Sequence, residues 1–238
     1  MKKPNGFILS RFLSPIDQKL CVAILTLKSS NRKTGDMAQV YILRDDMKPT
    51  EALSQGEDVS ICGNCPHRKD EQGHRSCYVN VGQGPNSVWK AYKRGSYIPA
   101  LSNLDALESA LKGKSIRWGS YGDPAIIPPH IFLLVNTYAK NHTGYTHQWR
   151  ERFAGFYKGY FQASCDGLND YLDATAHGWK TFCVAPVGAT LPGKLCPATV
   201  DNSMAQCVTC KLCNGAKQNV YVEAHGIGKN YIKGTQNV

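Results

Sequence analysis

The chain has 238 residues, of which 42% are hydrophobic and 19% charged, the balance of a globular protein with room for one sizeable core. No run approaches the roughly eighteen uninterrupted apolar residues a membrane span needs, which excludes an ordinary helical membrane protein. A formal net charge of +10 predicts attraction to polyanions and makes nucleic acid the first partner to consider.

The opening "MKKPNGFILSRFLSPIDQKL" is basic but lacks a continuous apolar segment and a small-residue cleavage site, so no signal peptide is read and a cytoplasmic location is expected. In a reducing compartment ten cysteines are better explained as metal ligands or free thiols than as disulfides. "LCVAILTL" and "AQVYILRDD" read as strands around the turn-forming "KSSNRKTGD", giving an N-terminal β-hairpin within residues 1–50. A short helix over "PTEALSQG" follows, then a first cysteine segment at 62–77, a brief strand "YVNV" and a helix over "SVWKAYKRGSY".

From there the pattern alternates. Helix "NLDALESALKGK", strand "SIRWGSYG", helix "PPHIFLLVNTYAKN", strand "TGYTH", helix "QWRERFAGFYKGY", strand "FQASC", helix "GLNDYLDATAHG" and strand "KTFCVAP" precede a second cysteine segment at 196–213 and the strand "NVYVEAHG". Strands alternating with helices of this length indicate βαβ units and a parallel sheet. The expectation is a single α/β domain over residues 1–238: a TIM-like (β/α) barrel, closed or incomplete, with cysteine-rich metal-binding insertions. An open doubly wound sheet is the alternative, weakened by the missing G-x-G-x-x-G fingerprint.

Parallel sheets place chemistry at the carboxyl ends of their strands. Those ends offer Ser120, Tyr121, Gly122 and Asp123; Tyr145, His147 and Gln148; Ser164, Cys165 and Asp166; and Glu223 with His225. Asp123, Asp166, Glu223 and His225 are the catalytic candidates, and Ser120, Tyr121, Gly122, His147 and Gln148 the substrate-binding ones. Asp123 on its glycine-bounded turn could serve as nucleophile or base, or merely cap the helix that follows Pro124. Glu223 and His225, two residues apart, share one face of a strand.

Cys196, Cys207, Cys210 and Cys213 make a four-thiolate set, and Cys62, Cys65 and Cys77, with His67 and His74 nearby, make a second. Zinc takes such ligands in tetrahedral sites, and iron–sulfur clusters take closely spaced cysteines too, so spacing leaves the metal open. Cys62 and Cys65 also fit a redox pair. Cys21, Cys165 and Cys183 sit in or beside apolar runs and read as buried small hydrophobes.

"SICGNCPHR", "CYVNVGQGPNSVWKAYKRGSY", "IRWGSYGDPAIIP", "TGYTHQW" and the closing "CVTCKLCNG" with "NVYVEAHG" resemble a family of phage-encoded cysteine-rich proteins tied to the phage DNA 7-deazaguanine transglycosylases, distant relatives of tRNA-guanine transglycosylase. The resemblance runs from about residue 60 onward. It implies a barrel with a structural zinc near its C-terminal end, DNA and a small deazaguanine base as partners, and location in the host cytoplasm. It also implies a transferase in which Asp123 or Asp166 attacks the sugar and guanine leaves. The family's C-x-C-x2-C zinc motif is C-x2-C-x2-C here, with His225 downstream and Cys196 before it. Two other classes remain open: an iron–sulfur enzyme of radical-SAM type, whose usual C-x3-C-x2-C spacing is missing, and a non-catalytic zinc protein that binds DNA or a host protein.

Overall fold

The computed structural model describes residues 4–186, 188–200 and 203–224. Strands β1 (Gly6–Leu13), β2 (Leu20–Thr26) and β3 (Ala38–Arg44) form an antiparallel meander, with β4 (Ile98–Pro99) parallel to β1 at the outer edge. In β2 the residues from Cys21 to Leu25 are all buried, which is why "LCVAILT" is continuously apolar instead of alternating. The expected hairpin is therefore β2 and β3; β1, which sequence reading did not separate from the chain's start, extends it.

Beyond β3 every pairing is parallel. β3 pairs with β5 (Ser115–Tyr121) and β5 with β6 (Asn141–Thr143); β7 (Tyr145–Thr146) pairs with β8 (Gln162–Cys165), and β8 with β9 (Thr181–Ala185). β10 (Lys194–Leu195) lies outside β11 (Val220–Glu223), which pairs with β9. Only Gly144 separates β6 from β7, so the two ladders meet in one extended segment. A side chain there would not fit, since a Cβ would stand 2.6 Å from Cδ1 of Phe161.

Helices α1 (Pro49–Gln55), α2 (Val59–Cys62), α3 (Gly84–Lys93) and α4 (Leu104–Leu111) fall between β3 and β5, and α5 (Pro129–Tyr138) between β5 and β6. α6 (Leu168–Ala176) joins β8 to β9, and the single turn α7 (Cys207–Cys210) precedes β11. One hydrophobic core runs from Phe7 to Cys183, with Trp118, Phe132, Tyr157 and Phe161 among its largest buried side chains. None of the described helices is long and apolar enough to cross a membrane.

The chain is thus mixed α/β with parallel sheets, but a complete barrel is not formed: among the described residues β4 and β10 are edges with no ladder between them. Two local expectations also fail. "QWRERFAGFYKGY" is a 3₁₀ turn, Arg152–Tyr157, because Gly155 and Gly159 (φ +90°) weaken a helix and the aromatics gather around Phe132. "YVNV" is not a strand, since Arg75 Nη1 donates to the carbonyls of Cys77 (3.1 Å) and Val79 (3.0 Å), groups a ladder would have used.

Candidate active site

The inner face of the parallel strands lines a cavity of about 430 Å³. Alternate residues face it, as the two-residue period of a strand requires: Arg117, Gly119 and Tyr121 from β5, Phe182 and Val184 from β9, Val220 and Val222 from β11. Both cysteine sets open onto this one space.

The first set stands at the carboxyl ends of the strands. Arg44, at the end of β3 and 4% exposed in its side chain, binds Asp46 through Nε (3.0 Å) and Nη2 (2.8 Å), and Glu57 (2.8 Å) and Ser60 (3.1 Å) through Nη1. That grip holds α2, whose last residue is Cys62, over the sheet. The Gln148 side-chain amide donates to the Cys62 carbonyl at 3.0 Å, packed against Gly63, whose φ of +57° turns the chain toward Cys65. Cys65 Sγ lies 3.9 Å from Nε2 of His147. Burial pushes the Cys62 thiol well above its ordinary range, reinforced by Cys65, Asp58, Cys77 and Asp123, and burial raises Cys77 against the opposing pull of Arg75.

The second set lies toward the other end of the cavity. The N–H groups of Cys207 and Val208 bond to the carbonyls of Lys33 (2.9 Å) and Thr34 (3.2 Å), just before β3 begins, while Gly144 donates to the Cys213 carbonyl at 3.0 Å and Cys196 to that of Tyr221 at 2.8 Å. Burial raises the Cys213 thiol, and Cys196, Cys207 and Cys210 add to it. A tetrahedral zinc needs its sulphurs about 3.8 Å apart, given Zn–S bonds of about 2.3 Å. Among the described residues, the group of three or more His, Cys, Asp or Glu side chains whose ligand atoms all lie within 4.8 Å is His67, His147 and Asp166, so neither cysteine set is drawn in around a single ion.

The predicted strand-end residues do converge in part. Asp123, His147 and Asp166 meet at one rim, after β5, β7 and β8. Asp123 is 7% exposed, and both of its oxygens are taken: Oδ1 accepts from the Ala125 N–H (2.9 Å) and Oδ2 from the His147 N–H (2.8 Å). Burial raises its pKa against these bonds and one with Thr146. It caps the 3₁₀ turn Pro124–Ile126, where the plainer sequence reading expected it to cap a helix. Asp166 stands between two imidazoles, 2.7 Å from Nε2 of His67 and 3.3 Å from Nε2 of His147. Burial opposes its charge, yet the histidines hold its pKa well below the usual carboxylate range.

Other predicted residues go elsewhere. Ser120 bonds Gln39 Oε1 at 2.5 Å and lines a second groove of about 1590 Å³, which adjoins the cavity at Tyr78, Val79 and Arg117. Tyr121 lines the cavity, with its hydroxyl buried and unbonded among the described residues. Gly122 (φ +77°) abuts Ile42, where a Cβ would meet the carbonyl at 2.9 Å. Gln148 is a buried strut, 2% exposed. Glu223 is exposed, because Val222 and Ala224 on either side of it take the cavity face; His225 lies outside the described residues. Cys21, Cys165 and Cys183 are fully buried, as expected.

Sequence reading missed Arg117. Its Nη2 donates to the hydroxyls of Tyr78 and Tyr145, both at 2.6 Å, and no carboxylate among the described residues pairs with it. Tyr145 is stacked on Phe182, with centroids 4.3 Å apart. Lys33, Arg68, Arg75 and Lys211 also line the cavity, whose acids are Asp58, already bound by Arg68 at 2.7 Å, and the capping Asp123. The cavity is therefore cationic. No family model, curated protein or solved structure matches the chain.

Proposed function

We propose that the protein is an iron–sulfur enzyme acting on a phosphate-bearing substrate inside an incomplete (β/α) barrel. The observation that carries this reading is that two cysteine sets, neither spaced for a single ion, open onto one cationic cavity. Cys62, Cys65 and Cys77 would hold a cluster with one iron lacking a protein ligand, at the mouth where parallel sheets keep their chemistry. Such a cluster supplies one-electron chemistry. Cys196, Cys207, Cys210 and Cys213 would close around a second one and brace the turn before β3. Arg117, already oriented by two tyrosines, meets the substrate's anionic group.

The alternative from resemblance, guanine exchange in DNA through an aspartyl nucleophile beside a structural zinc, asks for a carboxylate free to attack. Asp123 spends both oxygens on backbone N–H groups and Asp166 is clasped by two histidines, so the geometry favours the first reading. The test is anaerobic purification followed by iron, sulfide and zinc analysis per chain. Iron with sulfide is expected, and Cys65→Ser should lose the iron of one set while keeping the other. Zinc without sulfide overturns the proposal, and deazaguanine nucleosides in DNA from expressing cells would put the transglycosylase in its place.

A further inference from the structure

We propose that His67, His147 and Asp166 form a mononuclear site for a divalent first-row metal, beside the first cysteine set, whose Cys65 Sγ lies 3.9 Å from Nε2 of His147, and facing the same cavity. Nε2 of His67 and Oδ1 of Asp166 are 2.7 Å apart, and neither atom has an aligned hydrogen-bond partner among the described residues. An imidazolium–carboxylate pair would put the N–H on the line between them. Two buried lone-pair atoms brought this close without that alignment suit a third atom bound to both.

The spacing fits such an atom. Ligands bound at about 2.1 Å lie about 3.0 Å apart in octahedral and about 3.4 Å apart in tetrahedral geometry. Nε2 of His67 lies 2.7 Å from Oδ1 of Asp166 and Nε2 of His147 lies 3.3 Å from its Oδ2, so each imidazole nitrogen is at ligand spacing from one carboxylate oxygen, and the three ligand atoms lie within 4.8 Å of one another. Two imidazoles with one carboxylate, open on the remaining side, is a donor set for ferrous iron or zinc in place of magnesium or calcium.

Each ligand is held from behind. Ser76 Oγ meets Nδ1 of His67 at 2.7 Å, which lets Nδ1 keep the proton and leaves Nε2 as the donor atom. Asp123 anchors the backbone of His147, and Asp170 Oδ2 accepts from the N–H of Asp166 at 3.1 Å. The three ligands come from the loop after α2 and from the ends of β7 and β8, so the folded sheet alone assembles them. His67 and His147 both line the cavity, so a bound ion would present its free positions there.

The experiment is calorimetric titration of the anaerobically purified full chain with zinc after mild chelator treatment. We expect one equivalent per chain that is lost in Asp166→Asn and His67→Ala and kept in Cys210→Ser. Ser76→Ala removes no ligand and should fold, and it should weaken the affinity by about 10- to 100-fold. Absence of binding in the wild-type chain overturns the proposal, as does binding that survives Asp166→Asn and His67→Ala but disappears in Cys210→Ser. Iron and sulfide measured on the same samples report on the cysteine sets separately, so either reading can fail without the other.

Discussion

Oδ2 of Asp123 accepts the backbone N–H of His147 at 2.8 Å, so the second residue after β5, in one ladder, fixes the residue that follows β7, in the other. The same carboxylate caps the turn at Pro124, and the backbone N–H of Asp123 bonds to the Ile61 carbonyl at 2.7 Å. One buried residue, through side chain and backbone, thereby ties β5, β7 and α2 together at the place where His147, Asp166 and Cys65 meet.

Replacing Asp123 by Ala leaves two buried N–H groups without acceptors, each costing roughly 1–3 kcal/mol. Urea unfolding should show a loss within or above that range. A change below about 0.5 kcal/mol would mean that water or a neighbour takes over both bonds.

Arg44→Lys keeps the charge but loses the two-pronged contact with Asp46 and cannot also reach Glu57 and Ser60. Its acidic partners are half exposed, which limits the cost to about 1–2 kcal/mol. Because the same grip seats α2, the metal content proposed for the Cys62 set should fall too, which elemental analysis of the purified variant would measure.

Burial pushes the Cys21 thiol up to about 12, against an opposing pull from Arg44. An unfolded thiol ionises near ~8.5, so across that window the folded chain keeps a proton the unfolded chain has lost. Stability therefore falls as pH rises, by on the order of 3 kcal/mol between about pH 8.5 and about pH 10.5. Cys21→Ala should flatten the alkaline side of a stability profile taken between about pH 8 and about pH 10.5. An unchanged slope would assign the alkaline loss to other groups.

Arg117→Met should weaken binding of inorganic phosphate by about 10- to 100-fold, since a hydrogen bond to a charged group contributes roughly 1.5–3 kcal/mol. Calorimetry on both proteins, with a thermal melt to show that the fold survives, checks this. Equal affinities would remove Arg117 from substrate binding.

Strands β2, β3, β5, β8, β9 and β11 could be read from the sequence because each is a short aliphatic or aromatic run with turn residues nearby. The 3₁₀ turn at Arg152–Tyr157 could not, because its aromatics mimic a helical stripe while in fact surrounding Phe132. The cysteine segments stood out through local spacing. His67 drew notice only as a neighbour of Cys65, since its pairing with Asp166 depends on how loop and strand ends meet in space. Arg117 was hidden in the same way: on an inward strand position it reads as one polar residue among apolar ones until Tyr78 and Tyr145 are brought beside it.

The break at Gly144 makes the sheet two leaves joined at a narrow spine, with β6 zipped only to the N-terminal leaf and β7 only to the C-terminal one. The Cys213 carbonyl grips that spine from a loop far along the chain. Because one hydrophobic core lies under both leaves, that late bond does not create their union but fastens its thinnest point. A thiol loop more than sixty residues downstream thus clamps the single glycine through which the two ladders are continuous.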